Sequence, residues 1–421
     1  MAKLGSKPGL ERILALLAEM DNPHQKLKYV HVAGTNGKGS TSTIIADVLT
    51  QAGYRVGRFT SPHMHSYLER FTINGVNIDA SLCKEILEEI ETKVKIIEAQ
   101  GLFRPTEFEV LTALAFAFFA RQQVDLAVIE VGMGGTLDST NVINPLVSVI
   151  TSVDYDHTHV LGNSLAEIAA NKAGIIKPEV PVVLGPIAGE ALTVLKETAH
   201  LNNSTVGAPV HIAIRPKAAP KINGQVLDIN IGQEQLTDLF FSLPGDFQLE
   251  NLRCSLEALV ILRKQGFQFS VGDIKQALSQ IRIPGRLEVL SPSPLVIADA
   301  AHNPHGAKAL NESLLRLLPG QAKVLVCGLV DDKDEYNVLK SLEPGSCCCI
   351  VTRPAGERGK NWLRVKDCWE RWFAAKPVIA IEDIQEAVEY GLSLTSGSRY
   401  LLATGSFYVL DRVRRIFVSQ S

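Results

Sequence analysis

A chain of 421 residues is too long for one hydrophobic core and predicts two domains. Its 46% hydrophobic and 21% charged residues are those of a globular protein, and a net charge of −3 excludes nucleic acid or an anionic membrane as a bulk partner. Any anion must be met by a local site. The cysteines, Cys83, Cys254, Cys327, Cys347, Cys348, Cys349 and Cys368, are odd in number and form no CxxC pair; the run in "SCCCIVT" reads as a buried strand of reduced thiols. No apolar run before a cleavage site marks a signal peptide, and "VLTALAFAFFARQQ" is interrupted too early to span a bilayer, so the cytoplasm is the expected compartment.

In chain order, "YVHVAG" (29–34) is a β-branched strand ending in glycine. A helix over 38–52 follows, with Ile44, Ile45, Val48 and Leu49 on one face and Gly53 as its stop. "RVGRFTSP" (55–62) is a second strand. "LFRPTEFEVLTALAFAFFARQ" is a loop entering a buried helix. "VDLAVIEVG" (124–132) and "PLVSVITSVD" (145–154) are strands, "SLAEIAANKAGIIK" (164–177) is a helix, and "PVVLG" (181–185) is another strand. Strands alternating with helices predict a doubly wound, mainly parallel sheet. Residues 203–243 alternate differently and read as a small antiparallel excursion, followed by helices over 250–265 and 271–281. Pro284 and Gly285 in "IRIPGRLEV" mark a boundary. Beyond it, "PLVIADAAHNPHGAKALNESLLRLL", "AKVLVCGLVDDKD", "CCCIVT", "PVIAIED" and "RYLLATGS" form a second alternating set, a smaller Rossmann-like domain of about 140 residues. The expected fold is therefore α/β: a domain over 1–281 built around a phosphate-binding loop (P-loop), and a Rossmann-like C-terminal domain over 282–421.

The chemistry begins at "GTNGKGST". Gly34, Thr35, Asn36, Gly37, Lys38, Gly39, Ser40 and Thr41 join a strand to a helix, which turns several backbone N–H groups and the positive helix end toward one point. Phosphate is the natural occupant. Lys38 adds a full charge, and the Ser40 or Thr41 hydroxyl can reach magnesium. The alternative is a tight turn with a solvated lysine; the strand–loop–helix context favours the nucleotide.

Glu130, at the end of "LAVIE", belongs beside that loop as a metal-holding carboxylate; the alternative is an edge-strand acid facing water. His157 in "DYDHTHVLG" can reach a second metal or a phosphate, or be an ordinary hydrogen-bonded loop residue. Lys172 reads by default as a solvated helix lysine. Asp299 comes off a strand end, where it binds ribose or caps the next turn, with His302 in that turn and Arg286 in the linker.

Taken together, "GTNGKGS", "TSPH" (60–63), "EVGMGGTLDSTN" (130–141), "DHTHVLG" (156–162), "NKAGIIK" (171–177), "PGR" (284–286), "DAAHNPHG" (299–306), "DDKD" (331–334) and "TGS" (404–406) cover nearly the whole chain. In this order they resemble the dihydrofolate synthase/folylpolyglutamate synthase group of the Mur ligase superfamily. The resemblance implies ATP-dependent joining of L-glutamate to dihydropteroate, to folates or to both; a monomer is the default expectation. It implies that Gly37, Lys38, Gly39 and Ser40 hold ATP phosphates. Ser40, Ser61 and Glu130 would bind a first magnesium and His157 a second, and Lys172 would be carbamylated. Asn251, Arg286 and Asp299 would contact ATP from the mobile side, with His302 near the phosphates and incoming glutamate. Thr106, Glu107, Leu137, Asp138 and Ser139 would contact the pteroate. Departures are Phe247 where a histidine is common, Thr136 where arginine is common, and Asn171 for glutamate in "NKAGI".

Two other readings were weighed. A cell-wall peptide ligase of the same superfamily needs an extra N-terminal binding domain, and the residues before the first strand are expected to be too few for one. A nucleotide-binding switch needs an NKxD motif, but "NKAG" has Gly174 in place of the aspartate.

Overall fold

The computed structural model describes residues 9–418. The chain forms two compact units. One holds the chain up to Arg215 with Asp228–Leu239 and Leu249–Ile281, and the other holds Pro216–Leu227, Phe240–Gln248 and the chain from Arg282 onward.

The first unit is built on strands β1 (Tyr29–Ala33), β2 (Val56–Phe59), β3 (Phe71–Ile73), β4 (Val76–Asn77), β5 (Leu126–Glu130), β6 (Val147–Ile150) and β7 (Val182–Leu184). They form one seven-stranded sheet in the order β4-β3-β2-β5-β1-β6-β7. The strands β2, β5, β1, β6 and β7 run parallel, while β3 and β4 form an antiparallel edge. That edge, and the helix Ala80–Ala99 after it, were not in the sequence reading. β1 and β5 are buried at every position, which fits continuous apolar runs in a doubly covered parallel sheet.

Helices Glu11–Glu19, Ala80–Ala99 and Glu107–Arg121 bring Ile13, Leu16, Ile90, Phe116 and Phe119 into one core with Tyr29, Phe59 and Ile129. Helices Leu165–Ala173 and Gly189–Leu201 bring Ala169, Ala173 and Leu195 into a second core with Ala33, Ile150 and Val182. The strand order places the carboxyl ends of β2, β5, β1 and β6 side by side, and the loops carrying Lys38, Ser61, Asp138 and His157 leave from them, whereas the loop with Thr106 follows the helix Ala80–Ala99.

The excursion is a three-stranded sheet of β8 (Ile212–Pro216), β9 (Gln225–Ile231) and β10 (Glu234–Phe241), in the order β10-β9-β8. The helix expected to start near 250 starts at Asp246, so Phe247 and Asn251 are both helical.

The second unit carries β11 (Glu288–Pro292), β12 (Leu295–Asp299), β13 (Ala322–Cys327), β14 (Ser346–Val351), β15 (Val378–Ala380) and β16 (Arg399–Thr404), in the order β11-β12-β16-β13-β14-β15. β11 is antiparallel to β12 and the remaining pairs are parallel. Phe247 packs against this unit's core, which gives it an apolar role. The cysteine strand is only partly buried: Cys349 is enclosed, but Cys347 and Cys348 are half-buried, and all the cysteines are free thiols. Among the described residues no helix is long and apolar enough to cross a membrane.

Candidate active site

The glycine-rich loop is held open by its neighbours. In the helix Lys38–Gln51 the Thr41 amide makes the first helical bond, to Gly37 O at 2.9 Å. The amides of residues 37–40 therefore lie outside the helical ladder, and no side chain caps the helix. Gly37 has φ 86°, and a Cβ there would fall 2.2 Å from Asn251 Oδ1. Two loops are stitched together behind it. The Thr35 amide donates to Ser152 O at 2.9 Å. The Asn36 amide donates to Ser152 Oγ at 2.9 Å, the Thr151 hydroxyl donates to Asn36 O at 2.6 Å, and the Asp154 amide donates to Thr35 Oγ1 at 3.0 Å. Thr151, Ser152 and Asp154 were missed by the sequence reading; the polar run "TSVD" closing an apolar strand was the available signal. Lys38 Nζ donates to Gly34 O at 2.9 Å and Thr35 O at 3.2 Å, so its charge stays over the loop.

Glu130 is the last residue of β5 and is 4% exposed, which removes the reading of a water-facing edge acid. Its Oε2 lies 3.5 Å from where a Cβ on Gly39 would stand, so the carboxylate meets the first turn of the loop helix. Ser40 is buried in that turn, and half-buried Ser61 follows β2, the strand beside β5. Arg58 on β2 is half-buried, within electrostatic reach of Glu130 and Asp47, and donates to Thr43 Oγ1. His157 starts the short helix Thr158–Leu161 with φ 49°, its amide donating to Asp156 Oδ1 at 2.9 Å.

Lys172 is not a solvated lysine. It is 3% exposed, and its pKa falls from 10.5 to about 7, first because burial penalises the cation and then because Lys38 repels it, with Asp156 opposing. The departures around it have local partners. Asn171 O receives the Thr136 amide at 2.8 Å and the Thr136 hydroxyl at 3.0 Å, while Asn171 Nδ2 donates to Leu161 O at 2.9 Å.

The candidate acceptor walls are tied into the fold. Thr106 caps the helix Glu107–Arg121 in a reciprocal capping box with Glu109, and Glu107 accepts from the Tyr67 hydroxyl at 2.7 Å. Buried Asp138 accepts from the Met133 amide at 2.9 Å, the Thr140 amide at 3.0 Å and the Thr140 hydroxyl at 2.5 Å. Ser139 Oγ pairs with Thr112 Oγ1 at 2.6 Å, and Leu137 is half exposed.

Asn251 belongs to the first unit, against Gly37, rather than to the side on which Arg286 and Asp299 stand. In the second unit, Asp299 ends β12 and accepts the Leu287 and Ala301 amides, each at 2.9 Å; it holds its own turn together, the capping alternative of the sequence reading. Burial raises its pKa while the Arg286 cation lowers it. The Arg286 guanidinium lies 5.5 Å from the centre of the Phe407 ring, whose other neighbour is the His302 ring at 6.5 Å. His302 Nδ1 donates to Ala300 O at 2.8 Å.

Magnesium has no cage here: among the described residues no group of three or more His, Cys, Asp or Glu could hold a metal. Hydroxyls of Ser40 and Ser61 with the Glu130 carboxylate form a hard oxygen set, and an ion that keeps waters and draws on phosphate oxygens fits it.

A phosphate loop, an acid at the next strand end and a second Rossmann-like unit define a ligase class, and residues 32–259 match the Mur ligase middle domain and 285–407 the Mur ligase glutamate ligase domain. The chain is 32% identical over 421 residues to a dihydrofolate synthase/folylpolyglutamate synthase of Bacillus subtilis, covering 98% of this chain and 96% of the relative. A Mycobacterium tuberculosis folylpolyglutamate synthase solved with ADP and AMPPCP superposes with a TM-score of 0.91 at 32% identity, over 97% of this chain and 95% of that one. Escherichia coli FolC in complex with DHPP and ADP gives a TM-score of 0.87 at 27% identity, over 99% and 95%. The chain belongs to the dihydrofolate synthase/folylpolyglutamate synthase family of Mur ligases.

Proposed function

We propose that this chain uses ATP to join the amino group of L-glutamate to the carboxylate of dihydropteroate, and to that of a reduced folyl-(poly)glutamate, through an acyl phosphate. The observation that carries the reading is the convergence of the 34–41 loop, Glu130 and Ser61 on neighbouring strand ends, with Lys172 beside Lys38.

The acceptor carboxylate and ATP are both anions. Lys38 and the loop amides offset charge on the phosphates while the carboxylate attacks in line. Ser40, Ser61 and Glu130 would hold one magnesium and His157 a second, which when bound would supply the remaining neutralisation. Lys172 is a buried amine whose pKa, lowered to about 7, leaves a substantial neutral fraction at neutral pH, which is the form that reacts with carbon dioxide; carbamylation would turn it into an anion beside Lys38. The second unit would contribute Arg286, Asp299 and His302 to nucleotide and glutamate, and Thr106, Glu107, Leu137, Asp138 and Ser139 would border the pteroate. Glutamate attacks as the neutral amine, and water must be kept out or the acyl phosphate hydrolyses. The chain is read as a cytoplasmic monomer.

The test is phosphate release with ATP, magnesium and glutamate, adding each acceptor separately. Release with both acceptors is expected. Dihydropteroate alone would remove the chain-extending role, tetrahydrofolate alone would remove the synthase role, and release with neither would overturn the reading.

A further inference from the structure

Adjacent side chains on a strand point to opposite faces. Cys347 and Cys348 break that rule, because their sulfurs lie 3.9 Å apart. The cause is a register break. Lys323 of β13 pairs with Ser346 and Val324 pairs with Cys348, so Cys347 is the extra residue of a bulge. Its thiol donates to Lys323 O at 3.3 Å.

Three features make this pair more than a packing detail. Both residues are half-buried rather than enclosed. On the other side, β15 pairs only with Cys349–Val351, so no strand runs alongside Cys347 and Cys348 there. Arg399, on the next strand but one, lies within electrostatic reach of Cys348 and favours its thiolate, although burial and the neighbouring thiol hold that group mainly protonated. Among the other thiols, Cys83, Cys254, Cys327 and Cys349 are buried, and the sulfur–sulfur contact described is that of Cys347 with Cys348.

We propose that Cys347 and Cys348 form a chelating dithiol site for trivalent, thiophilic metalloid species, represented by organoarsenicals. The step is balanced without electron transfer. Two S–H bonds break, two S–As bonds form, and the arsenoxide oxygen leaves with both protons as water; arsenic stays trivalent. The site lies at the amino end of β14, whereas Asp299 and His302 follow the carboxyl end of the parallel strand β12, so occupancy is expected to leave nucleotide binding unchanged.

The experiment uses the reduced, native full chain and phenylarsine oxide. Intact mass should show one phenylarsine adduct that survives excess monothiol and is stripped by a dithiol such as 2,3-dimercaptopropanol. Peptide mapping after alkylation should find Cys347 and Cys348 protected together. Cys347→Ser and Cys348→Ser should each lose the monothiol-resistant adduct, and Cys368→Ser should keep it. The proposal is overturned if the native wild-type chain forms no monothiol-resistant adduct, if the protected peptide lies elsewhere, or if the adduct persists in folded Cys347→Ser protein.

Discussion

The Asn251 side chain occupies the place a Cβ on Gly37 would need, with Oδ1 only 2.2 Å from that position. The left-handed backbone at Gly37 and the contact with Asn251 together leave room for glycine alone. Gly37→Ala should therefore distort the turn that frames the phosphates. Calorimetric titration with a non-hydrolysable ATP analogue should show at least a tenfold loss of affinity, with the far-UV spectrum unchanged.

Lys38 Nζ reaches the carbonyls of its own loop, at Gly34 and Thr35. Lys38→Ala should fold normally and lose on the order of 10²-fold or more in glutamate-dependent phosphate release, the scale of removing one preorganised charge from a transition state. Wild-type turnover in that variant would end the phosphate-loop reading.

The burial of Lys172 has a definite sign in stability. Its pKa falls from 10.5 to about 7 on folding, so between those pH values the unfolded chain holds a proton that the folded chain lacks. Stability from this group is lowest below pH 7 and rises through the window, by at most about 1.4 kcal/mol per pH unit. In bicarbonate-free buffer, urea unfolding of wild type and Lys172→Met at pH 7 and pH 9 should show wild type gaining on the variant at the higher pH. Adding bicarbonate should raise wild-type ligase activity and leave Lys172→Met unaffected.

His31 is fully buried on β1, with Nε2 2.9 Å from Thr140 Oγ1, and that hydroxyl also meets Asp138. Burial keeps His31 neutral down to about pH 3. Thr140→Val would strip a partner from both groups and should cost about 1–3 kcal/mol in denaturant unfolding.

Thr106 offers a way to separate capping from substrate contact. Thr106→Ala should cost about 1 kcal/mol of stability. Thr106→Ser keeps the hydroxyl and restores stability. If the residue also borders the acceptor through its methyl group, the Ser variant will still show a raised KM for the acceptor with kcat unchanged; an unaltered KM would leave only the cap.

Much of this architecture can be read from residue patterns alone. The "YVHVAG", "LAVIE" and "PLVSVI" runs are mostly apolar because both sheet faces are covered, and their carboxyl ends carry the loops that matter. The small strands β3 and β4 escaped notice because "FTINGVN" is short and half polar, with an edge strand's weak pattern. Lys172 looked solvated because one polar letter in a helix carries no burial signal; the turn at Gly135 packs so close on its backbone that a Cβ there would fall 2.9 Å from Lys172 O. That Asn251 lies against Gly37 is hidden in the sequence because more than two hundred residues separate them, before a helix returns to the loop.

The bonds that lace residues 35 and 36 to residues 152 and 154 have a mechanical meaning. A pull on one strand-end segment is transmitted to the other without an intervening hinge, so a triphosphate seated in the first would at once drag on the arm that leads to Asp156 and His157. Arrival of fuel and alignment of the opposite bank are, in such a frame, a single movement.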